Sequence, residues 1–322
     1  MARAYVNQVA QHGAETTPGT AVAATTGFTS LSVTMEPKVE REQVTPQGSR
    51  FAATTFTKHD FTEGKVEGVP SYTEAASLLR WAYGAPTTAE TGVDTNAYTH
   101  LFEVGSGITR TVEFGDASDA AQVAGVFVSG VGFEWGRNSG TAKVSADLVG
   151  GLFSEGHTLT ADVDLPAAAP VEPGQVTVYV DDTFATLGTT VADVLSVKVS
   201  IKDLRTADWR LDASKPSIAG SVETAPKAEV ELVVEANAAG RALLGAVRSG
   251  ATKYIRIEGV GAAVGDATDH ETMTLDFACQ PLDHGRDDTD GVYVAKVKLA
   301  VVRDADGFAH TATVIDGSAT VV

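Results

Sequence analysis

The chain repeats itself at an offset of roughly half its length. Residues 125–135 (GVFVSGVGFEW) return as residues 291–301 (GVYVAKVKLAV), 166 positions on. Leu31, Ser32 and Val33 return as Leu195, Ser196 and Val197 at 164, and Leu78 and Leu79 as Leu243 and Leu244 at 165. Val112, Glu113 and Phe114 are matched by Leu275, Asp276 and Phe277 at 163, and residues 17–23 parallel 186–192 at 169. The order is kept throughout and the offset drifts by only a few residues, which indicates two tandem copies of one domain. The length of 322 residues agrees, since domains of about 150 residues are typical. The expected division is residues 1–163 for the first copy, a linker over 164–177, and residues 178–322 for the second. Each copy is long enough to bury its own core. The linker begins DLPAAAPVEPG, and its Pro and Ala content favours an extended spacer that orients the two copies.

Charge narrows the choice of partner. Against 24 basic residues stand 42 acidic ones, a net charge of −18. Residues 1–161 hold 10 basic and 17 acidic groups and residues 162–322 hold 14 and 25, so the halves carry −7 and −11 and the acidity belongs to both. Binding nucleic acid needs Lys and Arg to replace condensed counterions on phosphate, so this surface does not wrap it. An acidic wall instead lets a like-charged polymer slide past without sticking. The first residues hold no apolar stretch of signal-peptide length, and no window reaches the length of a membrane span, which predicts a chain made in the cytoplasm and off the membrane. Cys279 is the only cysteine, which excludes an internal disulfide and a thiolate-rich zinc site. Its neighbours Leu275 and Phe277 place it in or near the core.

Periodicity reads as mostly β. Tyr293, Ala295, Val297, Leu299 and Val301 alternate onto one face with Lys296 and Lys298 on the other. Phe127, Val131, Phe133 and Trp135 do the same, with Glu134 outward. Further strands are expected at 31–35, 112–114, 143–149, 194–201, 229–234, 254–258, 272–277 and 309–314. Turn residues separate the last two strands of each copy, at 138–140 and 304–307. One flanking helix per copy interrupts the pattern. Ser71 with Glu74 forms a capping box ahead of an apolar stripe of Tyr72, Ala75, Ala76, Leu79, Ala82 and Tyr83 that ends at Gly84. Residues 237–248 repeat the design from Asn237 to a stop at Gly250, weakened by Gly240 and Gly245, each costing roughly 1 kcal/mol relative to Ala. Both helices are expected as lids on a sheet. The polar, Thr-rich stretch 38–64 is too long for a structureless loop and reads as a projecting hairpin that contacts a neighbour. Its counterpart, 202–227, is punctuated by Pro216 and Pro226.

Catalytic patterns are missing. Residues 128–130 lie within a strand and do not form a nucleophile elbow. Residues 136–143 lack the G-K-[ST] order of a phosphate loop, and Gly259, Gly261 and Gly265 lead into polar residues where a dinucleotide fingerprint needs a helix. The histidines at 12, 59, 100, 157, 270, 284 and 310 form no H-x-x-x-H pair. Asp283, Asp287, Asp288 and Asp290, with Asp304 and Asp306, offer oxygen ligands of the kind calcium takes, but their spacing departs from an EF-hand loop and a solvated turn explains them. Glu229 and Glu231 are explained by alternation on an exposed strand face. The chain is therefore read as a non-enzyme with no catalytic residue, cofactor or metal.

The opening Glu15, Thr16, Thr17, Pro18, Gly19, Thr20, Ala21 and Val22, the 31–33 strand, the long loop with Gly48, Ser49 and Arg50, and the strand-to-helix unit from Gly64 through Leu78 and Leu79 to Gly84 resemble the major tail tube proteins of long-tailed bacteriophages. So does the closing run 296–302, its turn 303–307 and the strand 309–314. The resemblance covers most of the chain and rests on diffuse patterns, not on invariant signatures. It implies two tandem β-sandwich or barrel-like tail-tube domains, each with one flanking α-helix, in stacked rings around a channel for the genome. It also implies that one sheet joins its neighbours to form the inner wall and that a long loop reaches the adjacent ring.

Where the family has six domains per ring, a duplicated chain closes a ring with three, a pseudo-hexameric trimer; the alternative is a hexamer of whole chains. At −18 each, three chains carry −54. The implied partners are other copies of the chain and the tape-measure, tail-terminator and distal-tail proteins. DNA passes without sequence-specific binding, and the implied location is the virion tail. Gly48, Ser49, Arg50 and Phe51 are expected at the tip of the inter-ring loop, while the lumen-facing strand stays unassigned because Lys296 and Lys298 stand where acidic residues would be expected. Two other readings remain open: a two-domain β-sandwich binding module of fibre or adhesin type, and a non-polymerising distal-tail or baseplate ring protein.

Overall fold

In the computed structural model, residues 8–91, 96–212, 217–236, 245, 249–265, 268–289 and 292–321 are described. Short alternating segments separated by Gly, Pro, Asn and Asp turns give strands, and the protein is mainly β. The first half contains β1 (Val9–Ala14), β2 (Thr26–Gly27), β3 (Leu31–Val44), β4 (Thr54–Gly68), the helix α1 (Tyr72–Tyr83), β5 (Thr87–Glu90), β6 (Tyr98–Glu103), β7 (Arg110–Asp116), β8 (Asp119–Gly136), β9 (Thr141–Gly150) and β10 (Phe153–His157). The second contains β11 (Val176–Asp181), β12 (Val194–Lys202), β13 (Arg205–Asp208), β14 (Gly220–Glu223), β15 (Lys227–Glu235), β16 (Lys253–Val264), β17 (Asp269–Thr289), β18 (Val292–Val301) and β19 (His310–Asp316). The helix expected over 237–248 lies outside the described residues, apart from Gly245, which is helical and exposed.

Strand pairing recurs between the halves. In the first, the antiparallel order is β3-β4-β9-β8-β7-β1, with β10 on the other edge of β8. In the second it is β12-β15-β18-β17-β16-β11, with β19 on the other edge of β17. Both β8 and β17 are long strands that exchange partners along their length, β8 from β7 and β10 to β9 and β12, and β17 from β16 and β19 to β18. Each carries a register irregularity near that exchange, between Val128 and Gly130 and between Pro281 and Asp283.

The pairing corrects part of the sequence alignment. Thr34 pairs with Lys65 and Lys198 with Glu231, which keeps the 164-residue offset of the first strand match in register. The two later matches slip by one strand, because β7 takes the place of β16 and β8 that of β17, not those of β17 and β18. The bulge also corrects the face of Phe127. Val128 pairs with the inward Leu148, whereas Phe127 pairs with Val149 on the opposite face, where the Arg205 guanidinium covers its ring at 5.6 Å. Tyr293, expected inward, is exposed.

The halves share one core. β8 pairs with β12 and β6 with β19, so strands cross between the halves at two places. A single apolar cluster runs from Val66, Leu79 and Trp81 through Phe133 and Val199 to Leu232, Phe277 and Val314. The helix α1 is no lid. It is buried on nearly every side and touches β6 and β8 as well as β17 and β19. Its capping box forms as expected: the Glu74 N–H donates to Ser71 Oγ at 3.3 Å, and Ser71 Oγ donates to the Glu74 carboxylate at 2.8 Å. That carboxylate also accepts from the N–H groups of Thr29 at 2.7 Å and Ser30 at 3.1 Å, tying the entry of β3 to the helix. Gly84 ends the helix at φ 101°, where a Cβ would lie 2.6 Å from the Ser106 carbonyl.

The linker is strapped to the first half. The Asp164 carbonyl accepts from Gly27 N–H at 2.8 Å, Val171 N–H donates to the Pro70 carbonyl at 2.7 Å, and Trp135 Nε1 donates to the Val171 carbonyl at 3.2 Å. Val171 is fully buried.

Candidate assembly surface

Three features of the strand framework face outward: a long hairpin, a charged sheet face and two unpaired strand edges. The hairpin is the 38–64 stretch. β3 and β4 pair from Leu31 opposite Gly68 to Val44 opposite Thr54, and every residue from 36 to 58 is exposed. At about 3.4 Å per residue, the exposed outer part of β3, residues 36–44, is roughly 30 Å long. Gly48, Ser49, Arg50 and Phe51 lie in its tip. Ser49 N–H donates to the Pro46 carbonyl at 3.0 Å, Gly48 takes φ 84°, and Ser49 Oγ donates to the Phe51 carbonyl at 2.6 Å. This leaves the Phe51 side chain 81% exposed, with Val44 and Phe56 also exposed on the outer arms.

The counterpart hairpin in the second half is bent. β12 and β15 pair as its base, the chain breaks direction at Asp203, whose φ is 56°, and β13 pairs with β14 as a separate outer piece. That piece leans back on the first hairpin. Trp209 stacks on His59 with ring centroids 4.1 Å apart and meets Phe61 edge-on at 5.5 Å, and Ser217 Oγ donates to the Asp60 carbonyl at 2.6 Å. Pro216 lies outside the described residues. The base of the projecting arm is thus braced while its tip is bare.

The strands β3-β4-β9-β8-β12-β15-β18-β17 form one continuous eight-stranded run across both halves. Val66, Ala146, Phe133, Val199, Leu232 and Val297 point inward from it. The other face is polar and alternates in charge. A shallow groove along it is lined by five lysines, Lys65, Lys143, Lys198, Lys202 and Lys298, and four carboxylates, Glu134, Asp147, Glu229 and Glu231. This face is therefore mixed in charge, although the chain as a whole is acidic. Glu67 lies between Lys65 and Lys143, Glu229 accepts from Lys298 at 2.8 Å, and Asp287 is paired with Lys296. Hydrogen bonds from Lys65 and then Lys143 lower the Glu67 pKa, and the Lys296 ammonium lowers that of Asp287. These exposed pairs add little stability, but they neutralise the face locally.

Both ends of this run are open among the described residues. β3 pairs with no strand but β4, and the 280–289 part of β17 pairs with no strand but β18. The equivalent stretch of β8 is instead covered by β12.

The remaining sequence candidates are dispersed. Asp283 and Asp287 accept from the next residue's N–H, Asp304 holds its own turn, and Asp290 lies outside the described residues. Among the described residues, no cluster of three or more His, Cys, Asp and Glu is arranged to hold a metal. His100 is buried against Thr88 and Asp316, and His310 packs on Phe277. Burial raises the Cys279 thiol pKa far above its ordinary value.

Sequence reasoning missed the buried Arg110. Its Nη1 donates to Ser77 Oγ at 2.9 Å and to the His12 ring, its Nη2 donates to the Ser77 carbonyl at 3.0 Å, and the guanidinium lies over Trp81 at 5.2 Å. Burial, reinforced by Arg80, lowers its pKa to about 9, and burial followed by Arg110 pushes His12 well below the usual imidazole range. Nothing in the local sequence signals this group. No protein-family model matches the chain, and no curated protein matches it.

Proposed function

We propose that this chain is a structural virion protein that polymerises into stacked rings, forming a phage tail tube through which DNA passes. The observation that carries the reading is the eight-stranded run: four strands from each half, in the same order, with one polar charge-paired face and an unpaired strand edge at each end. A sheet with open ends exposes unsatisfied backbone groups that invite pairing, and ring closure removes them. The solvent face then becomes the inner wall, where alternating, locally neutralised charge offers DNA neither a run of lysines to bind nor a strong barrier. Three such chains give a pseudo-hexameric ring, and the β3–β4 hairpin reaches the next ring through Gly48, Ser49, Arg50 and Phe51. Tape-measure, terminator and distal-tail proteins are the partners this reading implies.

Negative-stain electron microscopy of the purified protein at rising concentration tests it. Stacked rings with a pseudo-sixfold outline built from three chains are expected. Arg50→Glu is expected to weaken stacking while leaving the fold intact. Compact monomers at every concentration would refute the reading and favour a two-domain binding module.

A further inference from the structure

The internal join between the halves is a template for a join between chains. Across the first half, a row of directly paired residues runs Thr34, Lys65, Asp147, Gly130. Across the second, the equivalent row runs Lys198, Glu231, Lys298, Asp283. Where the halves meet, Lys198 pairs with Glu134, four residues along β8 from Gly130. Applying the same step to Asp283 reaches Asp287, on the part of β17 whose outer edge is open. The position equivalent to Lys198 is Thr34, on the open edge of β3.

We infer that the free edge of β17 pairs antiparallel with the free edge of β3 in a second copy of this chain, with Asp287 opposite Thr34. This rests on the ring reading above and gives it a register. The run of eight strands alternates in direction throughout, so β17 meets β3 with the polarity that an antiparallel ladder needs. The same register sets Gly285 opposite Glu36, beside Lys296 on β18, and brings Asp283 level with Lys38 just past the last rung, so opposite charges meet along the join as Glu134 and Lys198 do inside the chain. Pro37 falls opposite His284 on the last rung, equivalent to Ile201 against Val131, where its missing N–H ends the ladder instead of interrupting it.

The inner side departs from the template. Val131, Phe133 and Trp135 are buried behind β8, whereas His284, Arg286 and Asp288 are exposed behind β17. The join between chains is therefore held by backbone and charge with little apolar packing, so the chain remains soluble before it assembles.

The stagger is compatible with closure. Four residues of offset for every four strands is one residue per strand, and with about 3.3 Å per residue and 4.8 Å between strands this tilts the strands by about 35°, at the lower edge of the range for closed barrels. Three chains then give 24 strands and a backbone diameter of about 45 Å.

Disulfide trapping tests the register. In the internal join Arg137 N–H donates to the Leu195 carbonyl at 3.1 Å, and alternation along the ladder makes Glu134 and Lys198 a non-hydrogen-bonded pair. Asp287 and Thr34 inherit its Cα separation of about 4.5 Å, which a disulfide spans. Both side chains are exposed, and the only native cysteine is buried. The double variant Thr34→Cys/Asp287→Cys, mildly oxidised at assembling concentration, is expected to yield disulfide-linked dimers and trimers, with the trimer as end product. Glu134→Cys/Lys198→Cys is the control and is expected to link within one chain at any concentration. Rings or tubes that form without the 34–287 link, or that link Thr34→Cys equally well to Asp283→Cys, would overturn the register and leave the conduit reading standing. A ladder continuing beyond three chains would overturn closure by three. Monomers that never link between chains, with the control intact, would overturn both.

Discussion

Phe51 is the most exposed aromatic side chain of the hairpin tip, and its replacement by serine isolates the stacking contact from the fold. A buried phenylalanine removes about 200 Å² from water, so at 81% exposure roughly 160 Å² is still available to a neighbouring ring. At about 25 cal/mol per Å² this corresponds to about 4 kcal/mol if all of it is covered. Ordering the hairpin and incomplete coverage reduce the realised value to about 2 kcal/mol, or about thirtyfold in the affinity of one chain for the growing end. Since the side chain supports little inside its own chain, Phe51→Ser should unfold at the same temperature as the parent. The assay is the critical concentration for polymer, read by pelleting across a dilution series alongside thermal unfolding. An unchanged critical concentration with an unchanged melting temperature would refute the placement of Phe51 between rings.

Two further outcomes test the packing. His310 has Nδ1 2.9 Å from the Asp276 carbonyl and Nε2 3.1 Å from the Tyr83 hydroxyl, and its burial lowers its pKa to about 4. The unfolded chain, with a histidine pKa of about 6.5, takes up the proton first, so this contribution is complete above about pH 6.5 and is lost as the pH falls towards about 4. The shift corresponds to about 2 kcal/mol between about pH 7 and pH 5, and we take roughly 1 kcal/mol because the residue as a whole still meets solvent. Urea unfolding of His310→Gln should lack that part of the acid sensitivity, and identical pH dependence in the two proteins would exclude it. Glu74→Ala strands the N–H donors of Thr29 and Ser30 and the Ser71 hydroxyl at a site 2% exposed, and should destabilise the protein by about 3 kcal/mol in urea unfolding. A loss under about 1 kcal/mol would show that the helix cap contributes little.

What the sequence made legible is what local chemistry decides. The Ser71 and Glu74 capping box, the alternation through β9, β12 and β18, and the hairpin hidden in a Thr-rich stretch all depend on residues close together in the chain. The strand match at 164 kept its register because β3 and β12 open equivalent hairpins. The later matches slipped because Val- and Gly-rich strands of equal period look alike, and alternation names a face without naming a neighbour. The bulge after Val128 reversed the face of Phe127 for a related reason, since one extra residue changes phase without changing composition. The buried Arg110 was invisible because its partners Ser77, His12 and Trp81 lie far from it in sequence.

The charge of the polar sheet face is the harder case, and it shows what a net charge can decide. A total of −18 constrains the whole surface, yet the groove on the polar sheet face has five lysines to four carboxylates, so the acidic excess lies elsewhere. Composition is blind to this because strand alternation alone sends a residue to one face or the other, and Lys296 and Lys298 share the outward face that pairs them with Asp287 and Glu229. If this face lines a bore, passage of DNA depends on lysines such as Lys65, Lys143, Lys296 and Lys298 being held by Glu67, Asp287 and Glu229 more than on bulk repulsion. Neutralising the carboxylates alone would leave a stripe of free ammonium groups facing the polymer, and the same wall would then bind what it now lets pass.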